Sequence, residues 1–504
     1  MADMFEIYRP FRNRIRSFRL VDTLAVVRAY SQNLAYGVPF AQDLEVLPRY
    51  RDPAAGIKQW ELEIIARDAI AHAPQHLYTS QTLRQRHRMA ILLNQLRDVE
   101  GHIAAETVHG GNVLTELHRI GHRQFEWQSD LPNGLLLLRY YKIFSKPALD
   151  AIVTQQIGLN TRALHLVGML LNSAYMQWFA LHYPPNLFLS DRNNVNVQEI
   201  DAFLGHFARP VVELSQRIRV ELADNMNENY AYFFNSLRAY PLIDMNVDGR
   251  RSLVAPLPAL MSWRYTRGLY YELFAHPRFA QTFGAAFQAY VGDILADLFT
   301  DSHATVLPEE PTANNRGIAS SDWFLILHDA AMLVEAKTKR MGLAAKITLN
   351  DTVQLERELG ILADGILQTY KCIDAIQRGA FVGQGYEPLR TKRFYPVIVT
   401  LESWHVFGPT WRRLNDLVQQ RLHRAGLPAN WTDSMPFTAC DINEFELLTR
   451  AIQHTDAIGS ILDERLASEE YKQYELYNYL CGHQQSAIQN ARELFPNQFT
   501  DLFS

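Results

Sequence analysis

The sequence predicts a mainly helical N-terminal domain followed by a C-terminal α/β domain. Three observations carry this prediction. The chain has 504 residues, more than one hydrophobic core accommodates, so two domains are expected and three are within range. Up to about Tyr230, apolar residues recur at the three- and four-residue spacing of amphipathic helices. Beyond it, short apolar runs of strand character stand between helical ones.

In chain order, the helical character is clearest in residues 59–72 (QWELEIIARDAIAH) and 210–223 (PVVELSQRIRVELA). In the second of these Val211, Leu214 and Ile218 form one stripe, and Pro210 suits a helix start. Pro184 and Pro185, followed by the polar stretch 191–196 (DRNNVN), mark a long turn rather than a linker. The domain boundary is placed near Met226, giving a helical domain over 1–225 and an α/β domain over 226–504. Within the latter, residues 322–327 (DWFLIL), 332–337 (MLVEAK) and 395–401 (YPVIVTL) read as strands, and 283–299 and 355–377 as helices. There is no convincing internal repeat and no low-complexity tract.

Composition limits the function classes. Hydrophobic residues make up 48% and charged residues 20%, the balance of a folded globular chain rather than a disordered one. The formal net charge of −5 rules out attraction to nucleic acid through a general positive field, so such a surface must be a local patch. Cys372, Cys440 and Cys481 are widely spaced, which argues against a disulfide framework or structural zinc and fits a reducing cytosol. The N-terminal segment lacks the apolar core of a secretory signal. The most apolar later stretch, 164–181, is interrupted by His165, Asn172, Ser173 and Gln177, so a buried helix is expected there and not a membrane span. A cytoplasmic protein without a membrane partner is expected.

The chemistry concentrates in residues 321–340, SDWFLILHDAAMLVEAKTKR. Two apolar runs flank the short polar loop 328–331, the pattern of a β-hairpin. Pairing Leu327 with Met332 sets Asp322 opposite Lys337 and Phe324 opposite Glu335. Alternation puts Glu335 and Lys337 on one face, and Asp322 joins them there as a diagonal neighbour of Glu335, roughly 7–8 Å away at the backbone. A slip of one residue would separate the two acids. Two carboxylates on one face suit Mg²⁺, which prefers oxygen ligands and retains waters. An adjacent lysine can orient an attacking water or offset charge on a phosphate.

In these residues the sequence resembles the PD-(D/E)XK nuclease superfamily, with Asp322 as the first acid and Glu335-Ala336-Lys337 as the E-x-K element. The resemblance extends over roughly the last 270 residues. It implies a restriction-endonuclease-like fold with a mixed central sheet, and a Mg²⁺-dependent nuclease, with Mn²⁺ as a substitute. It implies DNA before RNA as substrate, and endonucleolytic cutting. Asp322, Glu335 and the Ala336 carbonyl would hold the metal, with Lys337 catalytic and Gln368 and Lys371 as accessory phosphate contacts. Many members carry a glutamate on the preceding helix; here Phe287-Gln288-Ala289-Tyr290 supplies the neutral Gln288. The pairing of such a domain with a large helical region resembles bacterial anti-phage or restriction-type effectors, by analogy of architecture. The helical region would then contact a regulatory protein or a second copy of the chain. The alternative is a non-catalytic scaffold that only grips nucleic acid or a partner.

Other features are weaker. An E-x-K tripeptide occurs about once or twice by chance in a chain of this length, and the second one, Glu470-Tyr471-Lys472, lies in a polar stretch. His118 and His122 have zinc-compatible spacing but no evident third ligand. Arg9, Arg12, Arg14, Arg16 and Arg19 interleave with Phe11, Ile15 and Phe18 and read mainly as a solvated helix face. Lys339, Arg340, Arg390, Lys392 and Arg393 are the expected nucleic-acid contacts, the first two because they directly follow the E-x-K strand. No P-loop, G-x-S-x-G or dinucleotide fingerprint stands in a convincing context.

Overall fold

Apolar spacing becomes helix where it is most regular. In the computed structural model residues Gln59–His72 form one helix and Val211–Asp224 another, with Pro210 as the N-cap of the latter. The structure describes residues 4–40, 54–76, 81–129, 131–183, 195–300, 303–310, 317, 319–347, 349, 352–381, 385–496 and 498. The Pro184-Pro185 pair and most of the 191–196 stretch lie outside these. Residues 164–181 divide between the helix Thr161–Gln177 and a short strand, β1 (Ala180–His182). Among the described residues no helix is long and apolar enough to cross a membrane.

The chain separates into two units, one ending at Phe279 and one beginning at Ala280, not near Met226. The reason is a second sheet. Strands β2 (Ala208–Pro210), β3 (Leu242–Val247) and β4 (Arg250–Val254) join β1 in the order β1-β4-β3-β2. Asp248 and Gly249, both at positive φ, close the β3–β4 hairpin, the two-residue turn that matches strand twist. Ile243, Met245 and Val254 enter the same core as Phe11, Leu24, Leu62, Ile65 and Leu214. The first strands after Tyr230 therefore complete the helical unit. The arginines of the N-terminal helix (Met4–Ile15) lie beside that core: Phe11, Ile15 and Phe18 are buried, and Arg9 pairs with Glu6 at 2.7 Å.

The second unit is built on a mixed five-stranded sheet, β5 (Thr305–Pro308), β6 (Trp323–Ile326), β7 (Ala330–Lys337), β8 (Arg393–Thr400) and β9 (Thr438–Asp441), in sequential order. The pairs β5–β6 and β6–β7 are antiparallel; β7–β8 and β8–β9 are parallel. A parallel pair needs a crossover, which the helices Thr352–Gln377 and Gly408–Arg424 provide. Phe324, Leu333 and Ile398 on one face pack against Leu362, Ile366 and Ile373 of the first crossover helix. The helix Phe279–Phe299 approaches the start of β6 closely. The indole N–H of Trp323 donates to the Gln288 carbonyl at 2.9 Å, and a methyl group on Gly292 would come within 2.1 Å of the Trp323 ring.

These contacts separate two glycines of one helix. Gly292→Ala should destabilise the second unit by about 1–3 kcal/mol through overpacking. Gly284→Ala, where an added methyl meets nothing within 4 Å, should stabilise it by about 0.5–1 kcal/mol. Thermal denaturation of the two variants beside the unsubstituted chain checks this; equal shifts would contradict the Trp323 contact.

Candidate active site

The hairpin of β6 and β7 is tighter than the sequence suggested. Leu327 N–H donates to the Ala330 carbonyl at 2.9 Å, leaving only His328 and Asp329 at the tip. Leu325 faces Met332 and Trp323 faces Val334, so extending the ladder by one residue sets Asp322 opposite Glu335, not Lys337. The register differs from the expected one by two residues. Because side chains alternate with period two, a shift of two preserves the face. Asp322, Glu335 and Lys337 therefore still lie together, and the two acids are direct cross-strand partners.

One hydrogen bond ties the end of the hairpin: Ala336 N–H donates to Asp322 Oδ2 at 2.8 Å. In an extended strand the N–H and C=O of one residue leave from the same edge, so the Ala336 carbonyl also opens toward Asp322, beyond the last ladder pair. Lys337 Nζ donates to Glu335 Oε1 at 2.6 Å and to Gln368 Oε1 at 3.3 Å. The Gln368 amide in turn donates to the Ser320 carbonyl at 3.4 Å. The crossover helix can approach because residue 365 is glycine: a methyl group there would stand 2.7 Å from Ile398 Cδ1 and 3.0 Å from Lys337 Cε.

Burial sets the electrostatics. Glu335 is 1% exposed, and its Oε2 has no hydrogen-bond partner. Desolvation, reinforced by the Asp322 charge and opposed by Lys337, pushes its carboxyl up to about 7. Burial also raises Asp322, against the Ala336 N–H and the Lys337 charge, which favour the carboxylate. An unpaired buried carboxylate oxygen is costly, and protonation or a cation relieves it. The donors available here are all oxygens, from two carboxylates and a backbone carbonyl, and suit a hard divalent ion such as Mg²⁺. Among the described residues no three His, Cys, Asp or Glu side chains are arranged to hold one metal ion.

No family model matches this chain, and neither does any curated protein or solved structure.

The other expected residues lie in different parts of the structure. Gln368 belongs to the site through Lys337, and Lys371, one turn further along the helix, is exposed. Gln288 reaches Trp323 through its backbone carbonyl. Lys339 is partly exposed, 3.6 Å from Glu358, and remains available to a ligand. Arg340 does not: it is buried and lies 3.8 Å from Glu402, because the chain turns inward after β7. Arg390, Lys392 and Arg393 sit at the wrong end of the sheet. The parallel ladder puts Arg393 beside Ala330, seven residues and about 23 Å from Lys337. There Lys392 donates to the His328 carbonyl at 2.8 Å, Arg393 pairs with Asp463 at 2.8 Å, and Arg390 bonds the Gly379 carbonyl at 3.2 Å. His118 and His122 face each other with their Nε2 atoms 3.2 Å apart. Glu470-Tyr471-Lys472 falls at a short 3₁₀ turn, Tyr471–Gln473, with Lys472 bonded to Glu469. Sequence reasoning missed Glu309, whose charge acts on both acids, and Gly365. The strand-ending acid pair Glu309-Glu310 was the available signal for the first; an isolated helical glycine gave none for the second.

The raised Glu335 carboxyl makes stability pH-dependent. A carboxyl near 7 when folded and near its ordinary 4.5 when unfolded binds its proton more tightly in the folded state. Its protonated form therefore supports folding at low pH, and that support is lost as pH rises from about 4.5 through 7. In metal-free buffer, Glu335→Gln should flatten this part of the curve of melting temperature against pH. Parallel curves for both proteins would show that Glu335 titrates normally.

Proposed function

We propose that the second unit is a metal-dependent nuclease domain of the restriction-endonuclease-like type, hydrolysing phosphodiester bonds, with DNA as the expected substrate. The observation that carries this is the unpartnered, buried Oε2 of Glu335 on the same face as Asp322 and beside Lys337 Nζ. Two carboxylates against one amine leave the cluster acidic, an arrangement that favours uptake of a cation.

Asp322 and Glu335 would hold Mg²⁺, with the Ala336 carbonyl on the same edge. A bound Mg²⁺ supplies Lewis acidity at the scissile phosphate and a more acidic bound water. Lys337, 32% exposed, faces both the acids and solvent. It orients the attacking water and offsets negative charge as the phosphorus–oxygen bond breaks. Gln368 holds the ammonium through its side-chain oxygen while its own amide is fixed by Ser320, so the lysine is positioned before substrate arrives. Lys339, following the strand, is placed to meet the phosphate backbone. The N-terminal unit would supply recognition or regulation, in the manner of an anti-phage or restriction-type effector.

Incubation of the full chain with supercoiled plasmid and Mg²⁺ tests the proposal, with single-stranded RNA as a second substrate. Glu335→Ala and Lys337→Ala should each reduce cleavage about 10²–10³-fold or more, and chelation should abolish it. No cleavage with Mg²⁺ or Mn²⁺, together with nucleic-acid binding unchanged in both variants, would favour the non-catalytic scaffold.

A further inference from the structure

Three arginines of the first unit converge without an acid to balance them. In the helix Met4–Ile15 and the turn that continues it, Arg16 N–H donates to the Arg12 carbonyl at 3.1 Å. Tyr8, Arg12 and Arg16, spaced by four, therefore follow one another along one side. Tyr8 lies against the end of the helix Gln59–His72, its ring 6.0 Å from that of His72. From the helix Val211–Asp224, Arg219 reaches the same end and donates to the Ala71 carbonyl at 2.6 Å. Arg16 and Arg219 are exposed, and Arg12 is half-buried. Among the described residues no carboxylate forms an ion pair with any of the three. Asp68, the acid nearest His72 on its own helix, is fully buried and accepts from Tyr8 at 2.5 Å and Arg67 at 2.8 Å. The C termini of the helices Met4–Ile15 and Gln59–His72 each offer roughly half a negative charge, about one against three positive. The Arg12 Nε is buried and has no hydrogen-bond partner, an independent sign that the cluster is incomplete.

We propose that Arg12, Arg16 and Arg219 form a phosphate-binding site at the end of the helix Gln59–His72. On a chain of net charge −5 such a cluster is a local trap for oxyanions, and the guanidinium fork matches the geometry of a phosphate. Burial, opposed by the Asp68 charge and reinforced by those of Arg16, Arg12 and Arg219, pushes the His72 imidazole down to about 4. It is therefore neutral near pH 7 and leaves the positive charge to the arginines. A bound phosphate offsets the three like charges and favours a proton on His72, so phosphate binding and protonation of His72 strengthen one another. The phosphate belongs either to a nucleic-acid strand or to a small phosphorylated molecule. The site lies wholly within the first unit and stands independently of the nuclease reading.

Two probes test this on the full chain in metal-free buffer with chelator: inorganic phosphate by calorimetric titration, and a labelled single-stranded oligonucleotide by fluorescence anisotropy. Arg16→Gln and Arg219→Gln should each weaken binding about tenfold or more, and Arg16→Lys should recover part of the loss. Arg217→Gln, whose guanidinium stands 5.0 Å from the Tyr240 ring, should leave binding unchanged. An oligonucleotide held through Arg16 and Arg219 identifies a nucleic-acid strand as the source of the phosphate. Inorganic phosphate held through them without the oligonucleotide identifies a small phosphorylated molecule. In either case the His72 imidazole, followed by NMR, should titrate at higher pH with the probe bound than without it. Neither probe bound, binding indifferent to both glutamine substitutions, or a His72 titration that does not move overturns the site.

Discussion

The bond from the Ala336 amide to the Asp322 carboxylate is the constraint on which the geometry of the candidate site depends. It forms where the β6–β7 ladder ends, so a side chain does there what a backbone carbonyl does elsewhere in the hairpin. It pins Asp322 in line with Glu335, and it uses one carboxylate oxygen to do so. It also places the Ala336 carbonyl on the same open edge. Without it the Asp322 carboxylate would lose its hydrogen bond to β7, and Trp323 with Val334 would be the last tie between the two strands at that end.

That geometry is kept at an energetic cost. A glutamate almost fully removed from water, with one oxygen unpaired, opposes folding. The cost is offset by the packed face beneath it, where Phe324, Leu333 and Ile398 meet the crossover helix, and by the Lys337 ammonium at 2.6 Å. Gly365 lets that helix lie close enough to fix the lysine stem. The destabilising polar group and the well-packed surround that offsets it thus lie side by side on one face of the sheet.

Much of this was legible in the sequence, and the reasons for the rest are physical. The identities of β6, β7 and β8 and of the helices around them followed from apolar periodicity. The shared face of Asp322, Glu335 and Lys337 followed from parity, which survives a register error of two. The register itself did not, because it depends on the turn, and His328-Asp329 closes the hairpin without the Asn-Gly or Asp-Gly pair that announces such turns. Asp248-Gly249 does announce one, but strand content alone does not say which core a hairpin joins, so the unit boundary fell too early. Arg393 was misplaced because a parallel crossover returns the chain to the opposite end of the sheet, and sequence proximity to a motif says nothing of that. Arg340 shows the converse: three residues from Lys337, it is buried against Glu402.

The parallel pairing of β7 with β8 has a consequence for synthesis. Asp322, Glu335 and Lys337 lie within sixteen residues of one another in the sequence, so all three leave the ribosome within a short interval. Gly365 and Gln368 emerge later, and β8, which flanks β7 along its whole length, ends only at Thr400. Non-local pairing of this sort is slow to form. A nascent chain therefore carries its charged residues for some time without the helix and strand that bury them, and Glu335 is withdrawn from water only when the crossover closes.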